Sequence, residues 1–298
     1  SCAASWAWKG RGDAHSRSNL GTFFASNGQN HPPMNAQHTA FIALMTLSLV
    51  ACRKDEESEP IDLDYTSASD NARAEDAFND MLAQVDKAVV DYGLRDLCDP
   101  TVTFDTTSSP RTITLDFGEV NCTALNGRTR RGRIRVSYTG RYRDIGTVIT
   151  ITPENYHVND LHIQGAKTVT NLGPDSDGHL QFDVLESGSV TASDGSWTAT
   201  HAAHRTRTWI QGQDTEMILD DVYLISGSGS GVNRNGVPYT VSISTPLRIA
   251  LSCPFITQGI VHVIPQGRPD RVIDYGTGTC DGNFSVAVLG HIFGLSIG

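Results

Sequence analysis

The stretch Arg133-Ile134-Arg135-Val136-Ser137-Tyr138, with Thr147-Val148-Ile149-Thr150-Ile151 close behind it, decides the fold class. Its residues alternate polar and apolar with a period of two and are rich in Val, Ile, Thr and Tyr. That is the pattern of a strand with one buried face and one wet face. Residues 101–104, 112–115, 180–184, 239–243 and 284–288 read the same way. Between them stand Asn126-Gly127, Asp177-Gly178, Asp194-Gly195, Asn235-Gly236 and Asp281-Gly282, dipeptides that favour tight hairpin turns. No alternation of strand and helix runs through the region, which excludes a parallel α/β sheet. The expectation is a mainly β domain over 97–298, built as an antiparallel β-sandwich or as a long twisted meander of ~12–15 strands.

Ahead of the strands the period changes. Ala74, Phe78, Met81, Val85, Val89 and Tyr92 recur at three- and four-residue steps, with Ala77, Leu82 and Ala88 widening the stripe. Ser69, Asp70 or Asn71 can cap the start, and Gly93 sits where a left-handed cap ends a helix. The spacing predicts one amphipathic helix within 69–96, its stripe packed on the sheet and Asp86, Lys87 and Asp91 on the wet side.

Upstream lies an apolar run, residues 40–50, too short to span a bilayer as a helix but of the length of a signal-peptide core. It ends at Leu49-Val50-Ala51-Cys52, and Arg53-Lys54-Asp55-Glu56-Glu57 follows, which no buried helix continues into. We therefore read 1–33 as an upstream or disordered leader, 34–51 as a signal peptide starting at Met34, and 52–68 as a flexible acidic linker behind Cys52. Arg11-Gly12-Asp13 in the leader is read as a chance triplet.

Leu49-Val50-Ala51-Cys52 resembles the lipobox of bacterial type II lipoprotein signals. Lys54-Asp55-Glu56-Glu57 is similar to the export tag of Bacteroidota surface lipoproteins. This resemblance implies that Cys52 becomes an acylated N-terminus and anchors the chain to the outer membrane, exposed at the cell surface. Several acyl chains on one cysteine would hold it there permanently. The segment from Gly127 to Val136, together with Asp116-Phe117-Gly118 and the Cys122 beyond it, also resembles such lipoproteins, and no activity follows from that resemblance.

Charge narrows the partners. Only Lys9, Arg11, Arg17 and Asp13 are charged before Cys52, so the formal net charge of −10 becomes −12 for the remainder. An acidic chain argues against nucleic acid.

Four cysteines follow Cys52, an even number suited to an exported protein, and four allow three pairings. An internal echo favours one. Asp116-Phe117-Gly118 precedes Cys122, and Asp274-Tyr275-Gly276 precedes Cys280 at the same offset, with Cys98 and Cys253 upstream. The echo predicts two related strand–turn–strand units and the disulfides Cys98–Cys122 and Cys253–Cys280.

Candidate chemistry is sparse. His201-Ala202-Ala203-His204 is read as exposed strand-end histidines, because residues three apart on a strand face opposite ways. Asp175-Ser176-Asp177-Gly178 is read as a β-turn, since it lacks the downstream Glu of a calcium loop. The Ser-Gly run 226–231 is read as a flexible loop. No metal or cofactor is expected. Arg131, Arg133 and Arg135 share one strand face and form a candidate patch for an anionic glycan. Trp197 and Trp209 are candidate stacking platforms for sugar rings. The functional expectation is a non-catalytic binding or structural envelope component with a glycan or protein ligand. The alternative is a glycan-directed hydrolase whose carboxylates leave no short signature.

Overall fold

The structure is a computed structural model and describes residues 61–88 and 97–297. The leader, the signal peptide, Cys52 and the expected helix end with Gly93 lie outside these residues.

One helix, α1 (Thr66–Ala88), precedes the sheet. The first strands are β1 (Thr101–Asp105), β2 (Arg111–Asp116), β3 (Cys122–Thr123), β4 (Thr129–Tyr138), β5 (Val148–Val158), β6 (Leu161–Pro174) and β7 (Leu180–Thr191). The rest are β8 (Thr198–Gln211), β9 (Val222–Val232), β10 (Pro238–Ala250), β11 (Gln258–Pro265), β12 (Arg271–Thr277), β13 (Asn283–Val288) and β14 (His291–Ser296). All belong to one antiparallel sheet, and apart from the short β3, which pairs beside β4, each lies next to its neighbour in sequence. This is the long meander. The five turn dipeptides all fall between strands, their glycines at φ between 68° and 85°.

The sheet curls because strands twist and because its ladders are interrupted. Register shifts occur at Arg131/Arg133, Ile151/Tyr156 and Ser242/Leu247. Gly132 occupies the first of them at φ 88°, and a Cβ there would stand 2.0 Å from the Asn155 carbonyl oxygen. Only glycine lets the two strands approach so closely.

The curl encloses α1, which touches β5, β7, β8, β11 and β12. Phe78 and Met81 are fully buried, as their spacing predicts, but Asp76 and Asp80 on the opposite side of the helix are buried too. The expected wet side is therefore corrected at Asp86 and met at Lys87, while Asp91 lies outside the described residues. Within Thr66–Ala88 only Lys87 is exposed, and Asp86 is tied to Arg207. The helix also starts earlier than expected: Asp64 Oδ1 accepts hydrogen bonds from Thr66 N at 2.9 Å and from Thr66 Oγ1 at 2.5 Å, capping the first turn. Residues 61–65 are docked structure and not linker, held where Asp62 and Asp64 meet Arg268 and Arg271. A second correction concerns the Ser-Gly run, which is part of β9, held in the ladder between β8 and β10.

Both disulfides form as the echo predicts, Cys98–Cys122 and Cys253–Cys280. The echoed units match in detail. Asp116 Oδ1 accepts from Gly118 N and Asp274 Oδ1 from Gly276 N, each at 2.8 Å, and the glycines sit at φ 84° and 85°. The intervening Phe117 and Tyr275 are buried, against Tyr156 and Phe284 respectively.

Candidate functional site

The inner wall of the curled sheet is lined with guanidinium groups, and α1 presents carboxylates to them. All seven acidic residues of 61–88 meet arginines of the sheet or its turns. Asp62 pairs with Arg268 and Arg271, Asp64 with Arg268, Asp70 with Arg234, and Glu75 with Arg205. Asp76 pairs with Arg128, Asp80 with Arg128 and Arg130, and Asp86 with Arg207. Asp80 is the centre of this set. Arg130 binds it in a fork, Nε to Oδ2 at 2.9 Å and Nη2 to Oδ1 at 2.5 Å, and Tyr156 Oη donates to Oδ2 at 3.1 Å. Burial opposes a charge on Asp80, but Arg130 and then Arg128 outweigh it and hold the carboxyl down at about 2. For the adjacent Asp76 burial wins, helped by the Asp80 charge, and its carboxyl is pushed up to about 6.

A second cluster lies beside Phe78. Lys167 Nζ pairs with Glu186 Oε1 at 2.7 Å and donates to the Phe78 carbonyl at 3.3 Å, while His201 Nε2 meets Glu186 Oε2 at 3.1 Å. His201 is thus buried, correcting the exposed strand-end reading, whereas His204 is exposed against Asp183 at 2.5 Å. Glu75, Glu186 and His201 bring ligand atoms within 4.8 Å of one another, as three metal ligands would. Lys167 and Arg205 already neutralise both carboxylates, so a divalent cation would enter against two buried positive charges. The cluster is a structural ion network. Asp175, Asp177 and His179 also converge, but Asp175 Oδ1 is taken by the amides of Asp177 and His179, each at 2.9 Å, as the β-turn reading requires.

The arrangement best suited to a ligand is a cleft of about 610 Å3 at the C-terminal end of α1. Leu82, Val85, Ile113, Val136, Tyr138 and Ile149 form apolar wall, and the exposed Phe104 and partly buried Ile218 stand at its sides. A polar network closes the floor. Arg207 Nη1 donates to Tyr142 Oη at 2.9 Å and Nη2 to Asp86 Oδ2 at 3.2 Å, with the guanidinium 3.5 Å from the centre of the Tyr223 ring. Tyr223 Oη donates to Asp221 Oδ2 at 3.4 Å. Burial, then the Asp86 charge, pushes the Asp221 carboxyl up to about 6. Volume and lining fall in the range of small-molecule sites.

The residues singled out from sequence fall elsewhere or are covered. Trp209 borders the cleft but is buried, with Arg143 4.7 Å over its ring. Trp197 lies away from it, with Arg234 3.8 Å over its ring. Trp209 offers no open face for a sugar, and Arg234 occupies one face of the partly buried Trp197. Arg131, Arg133 and Arg135 do share the outer face, where Asp160 at 2.6 Å, Asp116 at 2.7 Å and Glu154 at 3.8 Å balance them. The cleft floor went unread because its members come from α1, the β4–β5 connection, β8, β9 and the turn before β9. The one signal in the sequence was the alternation Arg205-x-Arg207-x-Trp209, a strand face of charge and aromatic.

No protein-family model matches the chain, and neither a curated protein nor a solved structure is similar to it. No helix among the described residues is long and apolar enough to cross a membrane.

Proposed function

We propose that the chain is a lipid-anchored, exported binding protein of the outer membrane, held at the cell surface through Cys52, and that the cleft beside Tyr138 and Ile149 takes its ligand. The cleft is the observation that carries the binding half of this reading, because it joins an apolar wall to a preformed polar floor on a rigid sheet. The anchoring half rests on the lipobox and its resemblance. The cleft wall is built of Leu82, Val85, Ile113, Val136 and Ile149, which favours an apolar ligand over a sugar.

The hydrolase reading has one observation in its favour, the Asp221 carboxyl at about 6 with Asp86 beside it in the same cleft. Asp86 is engaged by Arg207, which leaves it a poor second carboxylate for glycoside chemistry.

Two measurements test the proposal. Cys52→Ala is expected to move the chain from the membrane fraction to the soluble one, and unchanged membrane association would remove the anchor. Anilinonaphthalene sulfonate, an apolar anion, is expected to fluoresce on binding to the protein. Ile149→Trp, which fills the cleft, is expected to abolish that signal at an unchanged melting temperature. A signal that survives the filling would place binding elsewhere.

A further inference from the structure

The sheet ends on two edges, β1 and β14, which differ in chemistry. β1 follows Asp99 and Pro100 and ends on Asp105, the kind of charge and proline that keeps an edge solitary. β14, His291-Ile292-Phe293-Gly294-Leu295-Ser296, contains no Lys, Arg, Asp, Glu or Pro. Its polarity is fixed by one hydrogen bond. Ile297 N donates to the Gly282 carbonyl at 3.0 Å, and the ladder continues without a shift from Asn283↔Ser296 to Val288↔His291. In an antiparallel pair the bonded positions alternate, so Phe293 and Leu295 turn their backbone groups to β13. Those of Ile292, Gly294 and Ser296 point away from the sheet.

The side chains agree with this. Ile292 is 73 % exposed, and a Cβ on Gly294 would meet nothing within 4 Å. The other face is anchored: the Phe293 ring lies 4.9 Å from that of Tyr65, and Leu295 packs against the core. The strand is thus a rigid, uncharged template with its outer backbone groups unmatched by any described strand.

We infer that β14 is an interaction edge that pairs antiparallel with β14 of a second copy of this chain. Centring the pair on Gly294 sets Gly294 opposite the partner's Gly294 and Ile292 opposite the partner's Ser296. No like charges then meet, Ile292 faces the small Ser296, and Phe293 faces Leu295 as an apolar pair. A two-fold contact of this kind closes at two copies. Pairing β14 with β1 would instead bring Asp105 to the edge and, being head-to-tail, would continue as a filament. Six residues make a small interface, so the dimer is weak and concentration-dependent. The inference stands on the strand alone and does not depend on the cleft or the anchor.

Sedimentation of the full chain, carrying Cys52→Ala to keep it unacylated, is expected to show a reversible monomer–dimer equilibrium over a concentration series. Gly294→Pro removes one outward N–H and no bond to β13, as proline permits on an edge. Ile292→Lys adds a charge there without touching the backbone. Each is expected to raise the dissociation constant roughly tenfold or more, about 1.4 kcal/mol, with the melting temperature of the monomer unchanged. Gly294→Cys is expected to form an interchain disulfide on oxidation, because directly bonded antiparallel partners lie ~5.5 Å apart at Cα. A monomer at every concentration, or a dimer indifferent to both Gly294→Pro and Ile292→Lys, would overturn the inference. So would growth beyond the dimer, which would implicate β1.

Discussion

Arg130 and Arg131 are neighbours in β4, yet one is forked onto Asp80 inside the curled sheet and the other meets Asp160 in solvent. The contrast extends along the strand. Arg128 and Arg130 have side chains 2 % and 4 % exposed, whereas those of Arg133 and Arg135 are 53 % and 58 % exposed. Both sets meet carboxylates. What differs is the medium. Water screens the outer pairs and competes for them, so their loss is nearly free. The inner pairs have given up hydration on both sides, so removing one partner strands a charge that no solvent reaches.

Removing one inner partner therefore gives the largest expected effect. Asp80→Ala leaves Arg130 without its fork and Tyr156 without its acceptor. Urea denaturation is expected to show a loss of about 3–5 kcal/mol. A loss no larger than that of an outer pair would break the comparison.

The pH dependence of stability is the next effect in size, and it has two limbs of opposite sign. An unfolded Asp titrates near ~3.9. Asp80, held down at about 2 in the folded chain, contributes stability that is present above pH ~4 and is lost as the pH falls toward 2, ~2 kcal/mol in all. Asp76, pushed up to about 6, keeps a proton that the unfolded chain has released, so it costs ~3 kcal/mol as the pH rises from 4 through 6. Asp221 acts in the same direction as Asp76. Thermal melts are expected to peak near pH ~4–5. Asp76→Asn is expected to make the decline above the peak shallower and leave the acid limb in place, and an unaltered upper limb would show that the inner pairs titrate otherwise.

The smallest effect belongs to the outer face. Arg133→Ala, which removes the outer pair and leaves the Asp116 bond from Gly118 N in place, is expected to leave the denaturation midpoint where it is. A clear loss there would show that the outer ladder, too, holds the curl.

Much of the fold was legible because it depends on short-range patterns. The alternation in residues 133–138 placed β4, the Asn-Gly and Asp-Gly dipeptides placed the hairpins, and the echo of Asp-aromatic-Gly before Cys122 and Cys280 gave both disulfide pairings. The charged lining was not legible, for a physical reason. An arginine at an inward strand position is forbidden by its desolvation unless a partner waits for it. The alternation that sets Arg131, Arg133 and Arg135 on one face puts Arg130 with Ile134 on the other, but it names no partner that would let a charge stay there. The partners lie on α1, 50 to 130 residues away in the chain for the bonds from Arg128, Arg130, Arg205 and Arg207. The same separation misplaced Asp86, which is turned to Arg207, and hid the cleft floor, whose members come from elements far apart in the chain.

The match of seven carboxylates to the surrounding guanidinium groups has a consequence for where the helix can rest. An apolar stripe alone tolerates sliding, because one methyl group serves nearly as well as the next one along. A row of charges does not. Shifting α1 by a single turn, ~5.4 Å along its axis, would carry every acid off its arginine at once. The segment is therefore indexed like a key whose teeth fit one depth of insertion, and a pull on the residues ahead of Asp62 would be resisted by all seven contacts together.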